Sequence, residues 1–125
     1  MKYLKTIFHI LNIVLIIFYL FPGSILGCFF FNDCQIQPQI TRDFIISSNH
    51  FYAFGLLAFI GLIYQKSKKI MFFYLIFLSI FLKLMHFLIP NRSFQYEDLL
   101  GNLFGVTISI VIIKLILFFK ERNAK

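Results

Sequence analysis

The chain has 125 residues, of which 60% are hydrophobic, 20% aromatic and only 14% charged. A soluble core of this size cannot bury so many Phe and Ile side chains, whereas lipid can, so the composition excludes an ordinary soluble domain and indicates an integral membrane protein. The net charge of +7 does not point to nucleic acid, because the cations gather at the ends of apolar runs and form no stripe.

Four apolar runs, each about long enough for a helix across ~30 Å of hydrocarbon, predict an all-α polytopic membrane protein. The expected fold is a compact bundle of four transmembrane helices in a single domain covering residues 1–125. The first span covers about residues 3–21 and stops at Pro22-Gly23, a helix-ending pair. Ile25-Leu26-Gly27-Cys28 follows it and is similar to a lipoprotein cleavage site. The apolar stretch is longer than most signal peptides carry, and Leu26 is bulky where a small residue is usual, so the span is read as retained.

Residues 22–47 form the expected extracytoplasmic loop, with Phe29, Phe30 and Phe31 dipping into the interface. Cys28 and Cys34 share that loop. In an oxidising compartment they can close a small ring if Asn32-Asp33 turns the chain back. Alternatively, Cys28 sits in the membrane as a small apolar side chain. The second span covers about 48–64, the third about 70–89 before Pro90, and the fourth about 94–119, with Ser93 the expected cap of the last helix.

The cations set an orientation. Lys2 and Lys5 precede the first span, Lys66, Lys68 and Lys69 separate the second and third, and Lys120, Arg122 and Lys125 follow the fourth. Even numbers of spans lie between these groups, so all fall on one side, which the positive-inside rule makes cytoplasmic together with both termini. Lys114 reads as a snorkelling side chain, and His9 and Asn12 as packing contacts.

Polar residues converge near the outer ends of the spans. Ser79, Lys83 and His86 share a face of the third helix, and Asp98, Gly101, Asn102, Gly105 and Ser109 share a face of the fourth. Gly101, Gly105 and Ser109 read as helix-packing positions, since small residues let membrane helices approach closely. Charge at membrane depth is expensive, so Lys83 should snorkel outward or pair with Asp98 or Glu97. Asn49 and His50 enter the same level from the second span.

These residues carry a resemblance. The stretch HFLIPNRSFQYEDLLGNLFG, with NHFYAFGLLAF upstream, resembles the VanZ-like membrane proteins, whose hallmark is Pro-x-Arg followed by Asp, Asn and Gly at the start of the last span. Pro90, Arg92, Asp98, Asn102 and Gly105 match that pattern, and His50 matches the His that opens the family's second helix. The chain departs from it at Lys83-x-x-His86, where the family often has Glu-x-x-Gln, and at Ile46-Ser47, where it often has Asp-Lys. The resemblance implies a four-span envelope protein with a link to glycopeptide antibiotic susceptibility; it supplies no reaction.

Chemistry is sparser. Glu97 and Asp98 point about 100° apart on a helix and make a poor acid/base pair. No ligand-spaced metal motif occurs, and no nucleophile or cofactor can be named. The expected site is an outward-facing polar pocket lined by His50, His86, Arg92, Asp98 and Asn102, with Arg92 as a forked anion donor. Its expected occupant is an envelope lipid or lipid-linked glycan headgroup in the bacterial cytoplasmic membrane. The competing expectation is a non-enzymatic assembly or stability subunit whose polar seam joins helices or another membrane protein.

Overall fold

The computed structural model describes residues 2–39, 41–43, 45–90 and 95–125. It is all-helical among these residues, with five helices: α1 (Lys2–Leu20), α2 (Ile25–Phe31), α3 (Ser48–Tyr64), α4 (Lys68–Met85) and α5 (Tyr96–Asn123). Two of them, α1 and α5, are long and apolar enough to cross a membrane by length and composition. The 17 residues of α3 are apolar but shorter, and the 18 of α4 include Lys68, Lys69 and Lys83.

Local chemistry sets the boundaries. After α1 the backbone passes Pro22 and then Gly23 at φ +111°, a conformation that glycine alone adopts cheaply. Ser24 caps α2 by accepting a bond from the Gly27 amide at 2.9 Å. This short helix lies within the stretch expected to be loop. It ends at Asn32 in the left-handed region, after which the Asp33 carboxylate accepts from the Gln35 amide at 2.9 Å. A Cβ on Gly27 would collide with the Ile36 carbonyl, so the returning strand of the loop lies directly on α2. Cys28 and Cys34 are joined by a disulfide across this turn.

At the other end of α3, Lys68 reaches back to donate to the carbonyls of Leu62 and Gln65. It thereby satisfies acceptors that the end of a helix leaves open. The third span was expected to run to residue 89, but α4 ends at Met85. Residues 86–88 tighten into turns in which each amide bonds the carbonyl three residues back, at 3.0–3.2 Å, ahead of Pro90. Ser93, the expected cap of the last helix, lies outside the described residues. The N-cap position is Gln95, whose side chain makes no capping bond. Glu97 and Asp98 in the first turn and Lys120 and Arg122 in the last complement the helix dipole.

The helices pack pairwise around a core that includes Phe8, Phe54, Leu62, Met71, Leu75 and Val106. α3 and α5 run parallel along a seam of small residues. Gly55 faces Gly105, and a Cβ on Gly105 would lie 2.5 Å from the Phe51 carbonyl oxygen and 2.8 Å from the Gly55 nitrogen. A Cβ on Gly101 would lie 2.6 Å from the Ser47 carbonyl oxygen. Ser109 donates to the Gly55 carbonyl at 2.7 Å. Backbone meets backbone here, which is possible only where side chains are absent or minimal. α1 also opposes α3, with Tyr19 against His50 at one end and Phe8 against Tyr64 at the other.

Candidate functional site

A connected set of polar side chains occupies the end of the molecule where α1 and α4 finish and α3 and α5 begin. Lys83 is fully buried on α4 and donates to Asp98 Oδ2 at 2.8 Å. Of the two acids the sequence offered as a partner, Asp98 is therefore the one used; Glu97 is exposed and engages Ser47 only through its backbone carbonyl, at 2.9 Å. Lys83 also lies 3.0 Å from His86 Nδ1. An ammonium has donors and no acceptor, so Nδ1 accepts and the proton of the neutral ring sits on Nε2. That nitrogen lies 3.0 Å from the carbonyl oxygen of Tyr19. Tyr19 is in the last turn of α1, where carbonyls lack intrahelical partners, and His86 fills that vacancy. His86 is 1% exposed; its Nε2 joins α1 to α4, while its Nδ1 meets Lys83 within the end of α4.

The second branch runs through Tyr19. Its hydroxyl donates to Asn102 Oδ1 at 2.6 Å and meets His50 Nδ1. His50 Nδ1 also lies 3.2 Å from the same Asn102 oxygen, and His50 Nε2 lies 3.4 Å from Asp98 Oδ1. The Tyr19 ring stacks on His86 with centroids 5.2 Å apart and meets His50 edge-on at 4.7 Å. Four helices thus share one network of two rings, a phenol, an amide and an ion pair. Asn102 is fully buried, and its Nδ2 has no partner among the described residues. Leaving that donor unsatisfied costs free energy, so Asn102 serves the network through its carbonyl oxygen.

A cavity of about 450 Å³ opens beside this network, between α1 and α3 and against Gln37, Gln39 and Asp43. His50 and Asp98 lie on its wall, with Tyr19. His86 and Asn102 do not; they form the layer behind it and hold the wall residues in place. Arg92 lies outside the described residues. Asp43 is tied to the start of α3 and to Gln39: its Oδ1 accepts from the Ser48 amide at 2.9 Å and its Oδ2 from Gln39 at 3.1 Å. Ser48 donates to the Thr41 carbonyl and Asn49 to the Pro38 carbonyl, each at 2.6 Å. Asp43 thus supplies a cap to α3 that its own N-cap Ser47 does not.

The cavity has a polarity gradient. On α1 its wall passes from Leu11 through Val14 and Phe18 to Tyr19; on α3 it passes in the opposite chain direction from Leu56 through Ala53 to His50. Each gradient spans about 10 Å at 1.5 Å per residue, and both have their polar end beside Asp98. Sequence reading missed Tyr19, Gln37, Gln39, Asp43 and Gln95 as contributors to this region. For Tyr19 a signal existed, since it is the one hydrogen-bonding side chain between residues 13 and 21. Among the described residues no three His, Cys, Asp or Glu side chains come together as a metal site. Comparison of the chain with protein families, with curated proteins and with solved structures finds no match.

Proposed function

We propose that this chain is a VanZ-like protein of the bacterial cell envelope, a four-helix bundle spanning the cytoplasmic membrane four times with both termini inside, which takes a membrane lipid or the lipid end of a lipid-linked glycan into the cavity between α1 and α3. The observation that carries the proposal is the matched gradient on the two walls. A cavity apolar at one end and polar at the other fits an amphiphile, the tails between Leu11, Val14 and Leu56 and the head beside His50 and Asp98.

Several observations support the four-span reading. Besides α1 and α5, α3 and α4 present large apolar side chains outward, among them Leu56, Phe73, Phe77 and Phe81, each more than 40% exposed; lipid solvates such groups and water does not. At 17 and 18 residues these two helices measure about 26 Å, close to the hydrocarbon thickness. Lys2, Lys68 and Lys120 lie at α1's start, α4's start and near α5's end, the termini remote from the polar network. In this setting Arg92 is the cation that the family pattern would bring to the head.

Two measurements test the reading. Native mass spectrometry of the protein incubated with a bacterial polar lipid extract should show one retained lipid, and Ala53→Phe, which fills the cavity from its exposed wall, should abolish retention without loss of folded protein. An empty wild type, or a lipid count that ignores Ala53→Phe, would defeat the assignment. In a variant with both native cysteines replaced, a single Cys at Lys66 should resist a membrane-impermeant thiol reagent on intact cells, and one at Asn91 should react. The reverse labelling would invert the topology.

A further inference from the structure

We infer that a layer of buried water lies behind the cavity wall, bound by Asn102 on α5, Ser79 on α4 and Asn12 on α1, and that it fixes which way the Asn102 amide faces. The inference concerns the interior of the bundle and stands whatever ligand the cavity takes. Among the described residues three buried side-chain atoms have no hydrogen-bond partner: Asn102 Nδ2, Ser79 Oγ and Asn12 Oδ1. Asn102 and Ser79 are each 0% exposed. Ser79 lies six residues before Met85, the end of α4, and Asn102 six after Tyr96, the start of α5. Each is therefore about 9 Å inside its helix.

Two observations bring these atoms together. A hydroxyl within a helix can donate to the carbonyl four residues back, as Thr107 does to Leu103 at 2.8 Å and Thr6 to Lys2 at 3.3 Å. Ser79 makes no such bond, so its hydroxyl is left for a neighbour. The register then sets one level for all three. α4 ends where α5 begins, with Lys83 against Asp98, so four residues further in on each helix Ser79 comes opposite Asn102. α1 and α4 run side by side in the same direction, Phe8 meeting Tyr74 and Tyr19 meeting His86, and the same register puts Asn12 opposite Ser79.

The three groups are complementary in kind. An amide nitrogen only donates, an amide oxygen only accepts, and a hydroxyl does both. Water accepts from Asn102 Nδ2 and donates to Ser79 Oγ, and the Ser79 hydroxyl donates on toward Asn12 Oδ1, so one direction of bonding satisfies every group. Such a site offers the two to four polar partners that a buried water requires. Its consequence reaches the cavity. With Nδ2 committed toward α4, the Asn102 oxygen faces Tyr19 and accepts from the phenol at 2.6 Å, and Tyr19 and His50 are wall residues. Ser79 is thus a positioning residue for the wall, acting through water and Asn102.

The test is solution NMR of the full chain in detergent with isotope-labelled asparagine, reading magnetisation transfer from water to the side-chain amide protons of Asn102. A bound, long-lived water gives direct cross-relaxation, opposite in sign in laboratory-frame and rotating-frame experiments, whereas proton exchange gives one sign in both. The wild type should show direct cross-relaxation. Ser79→Ala removes one of the bonds that hold the water and should lower the signal at least about twofold. Thr107→Ala, which removes a hydroxyl bound within its own helix, should leave it unchanged. A wild type without direct cross-relaxation, or a signal that Ser79→Ala does not move, would overturn the water site. A signal lost in Tyr19→Phe but kept in Ser79→Ala would come from the phenol proton and would overturn it equally.

Discussion

The two faces that α3 turns to its neighbours differ in one physical respect, how closely the backbones approach. Toward α5 it meets Gly101, Gly105 and Ser109 with Gly55 of its own, and a Cβ added on Gly101 or Gly105 would fall within 2.5–2.8 Å of backbone atoms of α3 or of Ser47, the residue before it. Nothing can enter there. Toward α1 it presents Ala53 and Leu56 to Val14 and Phe18, and these larger side chains, with Ile25 and Leu26 of α2 and with Gln37, Gln39 and Asp43, surround the 450 Å³ cavity. A helix with one face of small residues and one of mixed size can thus be fixed rigidly on one side and leave room for a ligand on the other. Rigidity on the α5 side is what gives the cavity a defined wall, because His50 and Asp98 are each carried by a helix of the closed seam.

The largest effect expected is at the seam. Gly105→Leu drives a side chain into the α3 backbone, which cannot yield as a flexible side chain could, and should cost 3 kcal/mol or more, at or beyond the upper range of about 1–3 kcal/mol seen for overpacking. Loss of monodisperse protein on size-exclusion chromatography would register it; a variant with wild-type yield and melting temperature would show that α3 and α5 do not need this approach.

The next effect joins the two faces. Asp98→Asn leaves the buried Lys83 ammonium without its counter-charge and should destabilise by about 3 kcal/mol, the lower end for a broken buried pair because Asp98 is 15% exposed. Combining it with Lys83→Met removes both charges and should recover most of that loss. Thermal unfolding of the single and double variants in detergent distinguishes the cases: if Lys83→Met fails to rescue, Asp98 matters for more than charge balance.

The smallest effect should be confined to the cavity. Cys28→Ser with Cys34→Ser opens the short ring over the α1–α3 side, and should cost about 2 kcal/mol at most because the enclosed loop is small. Lipid retention should fall, while the seam, remote from the bridge, keeps α3 and α5 joined. Retention that is unchanged in the reduced variant would show that the bridge does not shape the cavity.

Much of the seam was legible in the sequence. Asp98, Gly101, Asn102, Gly105 and Ser109 recur at intervals of three and four, and helical geometry alone puts them on one face; the structure buries Gly101, Asn102, Gly105 and Ser109. The cost of charge at membrane depth likewise left Lys83 either to snorkel outward or to pair with one of two neighbouring acids. Tyr19 was not legible in the same way, because an aromatic side chain at the end of an apolar run is also what an interfacial anchor looks like. The 22–47 stretch read as loop because α2 is a single short element, shorter than an isolated helix needs to be stable in water. Its capping by Ser24, its disulfide and its contact with Ile36 supply what its length does not.

By itself the sequence determined that the chain is helical and rich in apolar surface, where its long helices run, and which residues of α5 face inward, since these follow from composition and the 3.6-residue period. Only the tertiary structure decided that Asp98, not Glu97, receives Lys83, that His86 and Asn102 stand behind the cavity wall while His50 and Asp98 stand on it, and that Tyr19 joins them. The reason is physical: those outcomes depend on distances between residues up to 83 positions apart in the chain, and such distances are set by how closely each pair of helices can pack, which no local pattern encodes.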